Sequence, residues 1–297
     1  MRSAALIYNP KSGRQVSTRR LPQILDRLRQ GGFEVDPRPT RGPGDATRLA
    51  EAAAAEELEV VFALGGDGTV REVAKGLLGT SVALAPLPGG TTNVVVRALG
   101  IPRHPVRAAE ALVRGSIFEM DIGRLAGEPF LMLASGGLDA AVMARQNSTA
   151  KRFFGKAAVA WVVFWEWLRY RLPTVTVEAA GQRSEVEYFA LCNLPLYAGD
   201  FRLAPDADPT DRRLDLLRFH GRGRWATAGF LIDMALGRHP RRKDVEIDPV
   251  TEVTLDGTEP ILLQIDGDVL TVEPPVTLGL GPERLRVLGP EALGALG

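Results

Sequence analysis

The chain is poor in the residues that build covalent or metal-centred frameworks. Its 297 residues include one cysteine, Cys192, and three histidines, His104, His220 and His239. A single thiol excludes an internal disulfide scaffold and fits a reducing compartment. It lies in the strand-like Phe189-Ala190-Leu191-Cys192 and reads as a small core residue. The scattered histidines have no zinc-site spacing, and each reads as a surface or loop residue. Net charge is missing too: 36 Lys and Arg offset 36 Asp and Glu, so no bulk field points to nucleic acid. No apolar run reaches bilayer length, because the longest, 157–165, is stopped by Glu166. The run behind Met1 and Arg2 ends at Asn9-Pro10, too short for a signal peptide and without a cleavage-like site. These absences predict a cytoplasmic protein, with transient membrane contact left open.

What is present is a folded chain with 45% hydrophobic and 24% charged residues, long enough for one large domain or two ordinary ones. The most informative stretch is Gly65-Gly66-Asp67-Gly68-Thr69. An apolar run of strand length, 58–64, precedes it, and Val70, Val73, Ala74, Leu77 and Leu78 follow at helical spacing. A loop between strand and helix offers free backbone N–H groups and the positive end of a helix dipole, which suits phosphate. Glycines allow close backbone approach, and Asp67 adds a group able to hold magnesium or take a proton.

The first third alternates strand and helix. Strands are expected at 4–8, 33–40, 58–64 and 81–86, with helices after each. This rhythm predicts a parallel sheet covered on both faces, with ligands bound beyond the carboxyl ends of its strands. Three polar, glycine-bearing loops, 9–13, 65–69 and 88–93, fall at those ends. From about residue 117 the rhythm changes. Segments 117–125, 129–135, 174–179, 185–192 and 213–219 read as strands without long crossover helices, and 245–288 is strand-rich. A second, mostly antiparallel domain is expected.

Asn9-Pro10-x-Ser12-Gly13, Gly65-Gly66-Asp67-Gly68-Thr69, Gly90-Thr91-x-Asn93 and Asp266-Gly267-Asp268 together resemble the diacylglycerol kinase catalytic family, lipid kinases that include soluble bacterial members and sphingosine kinases. Gly137-Leu138-Asp139-Ala140, the run from Ala204 to Asp215, and Thr40 followed by Gly44-Asp45-Ala46 are similar to further family signatures. The resemblance runs nearly end to end. It implies an N-terminal Rossmann-like nucleotide-binding domain (1–120, with a C-terminal return at about 281–297) and a C-terminal β-sandwich lipid-acceptor domain (121–280). It also implies transfer of the ATP γ-phosphoryl group to a lipid hydroxyl. In that reading Asn9, Ser12, Thr40, Gly65, Gly66, Gly68, Thr69, Gly90, Thr91 and Asn93 contact the nucleotide, Asp67 holds Mg2+, and Asp268 accepts the proton. Asp211, with Asp208 and the Arg213 carbonyl, corresponds to a structural magnesium site.

The chain departs from the family pattern at several points. Asp268 stands where the family has glutamate, one methylene longer, a retreat of about 1.5 Å. Val94 replaces a common aspartate, Arg71 a common asparagine, and the 210–214 motif loses its glycine. Asp266-Gly267 is by itself a strong hairpin signal, and Asp139 reads equally as a helix cap. The segment 153–172, with Trp161, Phe164, Trp165 and Leu168 on one helical face, reads as a buried helix or as an interfacial one bordering the acyl chain. Arg238, Arg241, Arg242 and Lys243 form a basic cluster. Two alternatives to a lipid kinase stay open: a catalytically weak lipid- or nucleotide-binding regulator of the same fold, and a kinase of a soluble acceptor, since Gly-Gly-Asp-Gly loops also occur in NAD kinases and phosphofructokinases. Oligomeric state leaves no signal, because edge and buried strands look alike in this pattern.

Overall fold

Strands β3 (Val60–Gly65) and β4 (Ala83–Pro88) are apolar along their whole length and wholly buried, as the middle of a helix-covered parallel sheet requires. The computed structural model describes residues 1–10, 16–145, 167 and 174–290. In it β1 (Arg2–Tyr8) pairs in parallel with β2 (Phe33–Pro39) on one side and β3 on the other, and β4 follows β3. The helices α1 (Val16–Gln30), α2 (Asp45–Ala55), α3 (Asp67–Leu77), α4 (Val94–Ala98) and α5 (Pro105–Val113) connect or flank these strands. Their apolar stripes, such as Ile24 and Leu28 of α1 and Val70, Val73 and Leu77 of α3, close the first core over the sheet. Phe33 and Phe62 meet edge to face there at 5.1 Å.

Beyond β4 the sheet does not end. The long strand β18 (Val276–Gly289) pairs through Val287 with Leu84 of β4 in parallel, and through 276–279 with β15 (Glu252–Asp256) antiparallel. It also runs antiparallel to β5 (Ser116–Leu125), with a register shift between Leu280 and Arg284. β15 continues to β8 (Val175–Ala179) and β9 (Gln182–Val186), and β6 (Glu128–Phe130) hangs from β5. A six-stranded antiparallel sheet faces this extension. Its order is β14 (Val245–Val250), β13 (Leu214–Phe219), β10 (Tyr188–Cys192), β7 (Leu133–Gly136), β16 (Ile261–Ile265) and β17 (Asp268–Val272).

Alternation along β10 divides two cores. Phe189 and Leu191 point into the sandwich, while Tyr188, Ala190 and Cys192 point to the outer face. That outer face is covered by α7 (Arg224–Ala235) through Phe230, which stacks on Phe219 at 4.5 Å. The remaining described elements are α6 (Leu138–Arg145), the short ribbon β11 (Leu196–Tyr197) and β12 (Phe201–Arg202), and a single 3-10 turn at 239–241. No described helix is long and apolar enough to cross a membrane.

Two expected strands divide. The segment 129–135 splits into β6 and β7, and 185–192 into β9 and β10, with each pair shared between the two sheets. Leu131-Met132 and Glu187 are the corners where the chain changes layer. Cys192 is fully buried as expected, and burial raises its thiol pKa. His239 is not a surface residue: it is fully buried, and its Nε2 lies 2.8 Å from the Leu203 carbonyl. Burial lowers its pKa, so the ring stays neutral and donates there.

Candidate active site

The carboxyl ends of the four parallel strands form a row. The Thr40 N–H donates to the Tyr8 carbonyl at 2.9 Å, that of Asn9 to Leu64 at 3.3 Å, and that of Gly89 to Gly65 at 2.8 Å. Thr40, Asn9, Gly65-Gly66 and Gly89-Gly90 therefore stand side by side, one strand spacing apart. The last two pairs touch backbone to backbone. A Cβ on Gly89 would come within 2.8 Å of the Gly65 nitrogen, and one on Gly90 within 2.5 Å of the Gly66 Cα. Only glycine permits this approach.

Gly66 caps α3 without a side-chain hydrogen bond, and the first helical bond runs from Val70 N–H to the Gly66 carbonyl. The N–H groups of the first turn are thus left to an outside acceptor, at the positive end of an 11-residue helix. Gly68 is exposed with open space around it, and Thr69 packs against Gly65. This donor set fits a polyphosphate. Asp67 opens the helix. Its Oδ1 accepts from the Val95 N–H and its Oδ2 from the Thr92 hydroxyl, both at 3.1 Å, so it ties α3 to α4 and its loop. Thr91 is exposed beside it. Asn93, at φ 48, turns its amide back on Gly90, accepting from its N–H at 2.8 Å and donating to its carbonyl at 3.0 Å. It shapes the loop. Ser12 lies outside the described residues, as does 153–172 apart from Trp167.

Across from α3, Asp266 and Gly267 form the two-residue loop of the β16–β17 hairpin, at φ 49 and φ 96. The hairpin turn signalled by the sequence is there, and its two carboxylates part ways. The Asp266 side chain is 1% exposed and accepts from the N–H groups of Leu131, Met132 and Leu133 at 2.7, 2.9 and 3.1 Å. Burial pushes its carboxyl up to about 6 against the pull of those three donors. The same bonds satisfy the backbone where the chain crosses from β6 to β7. Asp268 is 78% exposed and ion-pairs with Arg71. Arg71 also donates to the Pro129 carbonyl at 3.4 Å and lies 3.9 Å from Asp266. Arg71 is one turn after Asp67 on α3, so its ion pair with Asp268 ties the helix that Asp67 opens to the β16–β17 turn.

Several participants carried no sequence signal. Gln264 donates to Ser135 Oγ at 2.7 Å and to Asp139 at 3.4 Å, and accepts from the Gly267 N–H at 2.8 Å. It links the turn to Asp139, whose carboxyl burial pushes up to about 6 and which accepts from Ser135 and from the Ala140 N–H. Arg97 of α4 is nearly buried and pairs with Asp200 of the second domain, and burial lowers its pKa. Its one visible mark was a charge inside Val94-Val95-Val96-Arg97-Ala98-Leu99.

The loop at 208–213 is built inward. Asp208 accepts from Thr210 N–H and Oγ at 2.9 and 2.7 Å, and Asp211 from Arg213 N–H at 2.9 Å. Buried Asp121 accepts from the Arg212 N–H at 2.6 Å and pairs with Arg284 at 3.0 Å, which seats this loop on β5 and β18. Among the described residues no group of three or more His, Cys, Asp or Glu side chains is placed to hold a metal.

A row of glycine-rich loops with free N–H donors at the ends of a parallel sheet, joined to a β-sandwich, is an architecture suited to phosphate-handling enzymes. Residues 3–125 match the diacylglycerol kinase catalytic domain, and 133–289 match the YegS C-terminal NAD kinase beta sandwich-like domain. The chain is 33% identical over 275 residues to a diacylglycerol kinase of Bacillus subtilis (strain 168), covering 90% of each chain. It is 30% identical over 271 residues to one of Staphylococcus carnosus (strain TM300), covering 89% of this chain and 88% of that one. A crystal structure of a diacylglycerol kinase from Bacillus anthracis str. Sterne superposes with a TM-score of 0.75 at 21% identity, over 98% of each chain, a likeness of fold. The chain belongs to the diacylglycerol kinase family, a family of lipid kinases.

Proposed function

We propose that this protein transfers the γ-phosphoryl group of ATP to a free hydroxyl of a diacylglycerol-like or other long-chain lipid, as a cytoplasmic enzyme that meets its acceptor by transient contact with a membrane. Residues 1–120 and 281–297 serve the nucleotide, and 121–280 the acceptor. The observation that supports this reading is the ion pair of Arg71 with Asp268, which links helix α3 to the β16–β17 turn of the sandwich.

Bound ATP and Mg2+ supply the phosphoryl group and neutralise part of its charge. The chain's own part is placement and proton transfer. The first turn of α3, with Gly65, Gly66, Gly68 and Gly90, offers backbone donors, and Thr40, Thr69 and Thr91 offer hydroxyls. Asn9 borders the same row, Ser12 belongs to its loop, and Asn93 holds Gly90 in place. Asp67 would hold the metal. Asp268 takes the proton of the attacking hydroxyl, which requires Arg71 to loosen its hold on that carboxylate. Incubation with labelled ATP, Mg2+ and a panel of long-chain alcohols and glycerides should label a lipid, and Asp67→Ala should cut the rate of labelling by about 10²–10³-fold. Turnover unchanged in that variant would refute the site.

A second reading, a lipid- or nucleotide-binding protein with little transfer, is favoured by one observation: the Asp268 carboxylate is already committed to Arg71. Tight binding of nucleotide or lipid with no product across the panel would select it. We also propose Asp211, Asp208 and the Arg213 carbonyl as ligands of a structural magnesium. EDTA should then lower the melting temperature of the wild type and leave that of Asp211→Asn unmoved.

A further inference from the structure

Helix α7 is apolar on both sides. Phe230 and Thr227 face the outer core, with Ala226, Leu231 and Met234 partly buried around them. The opposite side carries Trp225, 77% exposed, Ile232, 60% exposed, and Leu236, 57% exposed, just past the helix end. Spacings of seven and four residues keep these three on one stripe, roughly 16 Å long. The other described helices do not do this: α1 exposes Gln23, Asp26, Arg27 and Gln30, and α5 exposes Arg107 and Glu110. Exposed Phe201 of the neighbouring β12 adds to the apolar area.

Charge frames the stripe. Arg224 opens the helix, and Arg238, Arg241 and Lys243 follow it, all exposed and without an ion pair to any described residue. The nearby acids Asp233 and Asp244 are both engaged by Arg242, at 2.8 and 2.7 Å. The surplus beside the apolar stripe is therefore cationic. The Trp167 indole N–H donates to the Arg224 carbonyl at 2.6 Å, and its ring meets Trp225 edge to face at 5.6 Å, which fixes an aromatic pair at the head of the stripe.

We propose that the outer face of α7 is a docking surface for an anionic lipid bilayer. Trp225, Ile232 and Leu236 enter the headgroup and upper acyl region, while Arg224, Arg238, Arg241 and Lys243 hold lipid phosphates. A cation near an anionic surface and an amphipathic tryptophan at the boundary are the two ingredients that seat a helix in the plane of a membrane. At 12 residues α7 is too short to cross one. The inference rests on the lipid-acceptor reading above, because it supplies the reason to approach a bilayer.

The test is sedimentation of the full chain with phosphatidylcholine vesicles made with and without phosphatidylglycerol. The wild type should bind the anionic vesicles preferentially and lose binding with added salt. Arg238→Glu/Arg241→Glu/Lys243→Glu should weaken binding by about a hundredfold, and Trp225→Ser/Ile232→Ser by on the order of tenfold or more. Both should keep the wild-type melting temperature and the wild-type rate on a short-chain, water-soluble diacylglycerol. Wild-type protein that ignores anionic vesicles, or variants that bind them equally well, would overturn the proposal. So would a wild-type dimer that the Trp225/Ile232 variant splits, since the face would then belong to a second copy. Failure of every form to phosphorylate the soluble diacylglycerol would strike the kinase reading alone, because vesicle binding is read without turnover.

Discussion

At the carboxyl edge of the parallel sheet, Gly65-Gly66 and Gly89-Gly90 lie in direct backbone contact, and the geometry is fixed before any side chain acts. At the β16–β17 corner the geometry depends on side chains instead: Asp266 gathers three N–H groups, Gln264 reaches the turn, and Arg71 holds Asp268. A wall made of backbone needs particular residues for what they lack, so it reads directly from sequence as paired glycines. A wall made of side chains needs partners from distant segments, and those partners stay hidden until the chain is folded.

This contrast is open to direct attack. The largest effect is expected at the point where the backbone wall carries its one acid. Asp67→Ala should lower turnover by about 10²–10³-fold, the scale of losing a preorganised electrostatic contact, measured with saturating lipid. Asp268→Asn should lower turnover by about 10²-fold or more while nucleotide affinity barely moves. A parallel loss of both in titration calorimetry and kinetics would reduce the residue to a turn.

Gly90→Ala pits a methyl group against the Gly66 backbone and should cost about 1–3 kcal/mol of unfolding free energy in urea. An unchanged midpoint would mean that the backbone wall yields. Acid should favour the side-chain wall. Asp139 and Asp266 have folded pKa values raised from 3.8 to about 6 by burial. Their contribution is full below the unfolded value and is lost as pH rises through about 6. Stability should therefore gain about 1 kcal/mol per group between pH 7 and pH 5, and Asp266→Asn should remove its share. The smallest effect belongs to the Arg71–Asp268 pair in stability alone. With Asp268 largely in solvent, a double-mutant cycle should give under about 1 kcal/mol.

Much of this was legible in the chain. The strand–helix rhythm of the first third, the row of loops at the strand ends and the Asp-Gly hairpin all follow from local pattern. The strand boundaries at Leu131-Met132 and Glu187 did not, because 130–134 is apolar throughout and strand-forming residues stand on both sides of Glu187 while the chain changes sheets. Asp266 looked like a turn residue and is also the buried acceptor that makes the other corner tolerable, a role set by segments more than 130 residues away. His239 looked exposed because its neighbours Arg238, Pro240 and Arg241 are, yet its ring is sealed under α7. The apolar outer side of α7 was hidden in the same way, since a helix that is greasy all round looks like a core helix until the core is seen to occupy one side of it.

The single strand β18 stitches the two halves together, with β4 along one reach and β15 along another. Neither half can therefore be cut free at a simple peptide junction. A fragment ending before residue 276 would leave the flank of β4 as a raw, ladder-hungry margin, open to pairing with another molecule. The strand that seals the first domain is made long after β4, so that flank of the sheet stays open until β18 emerges.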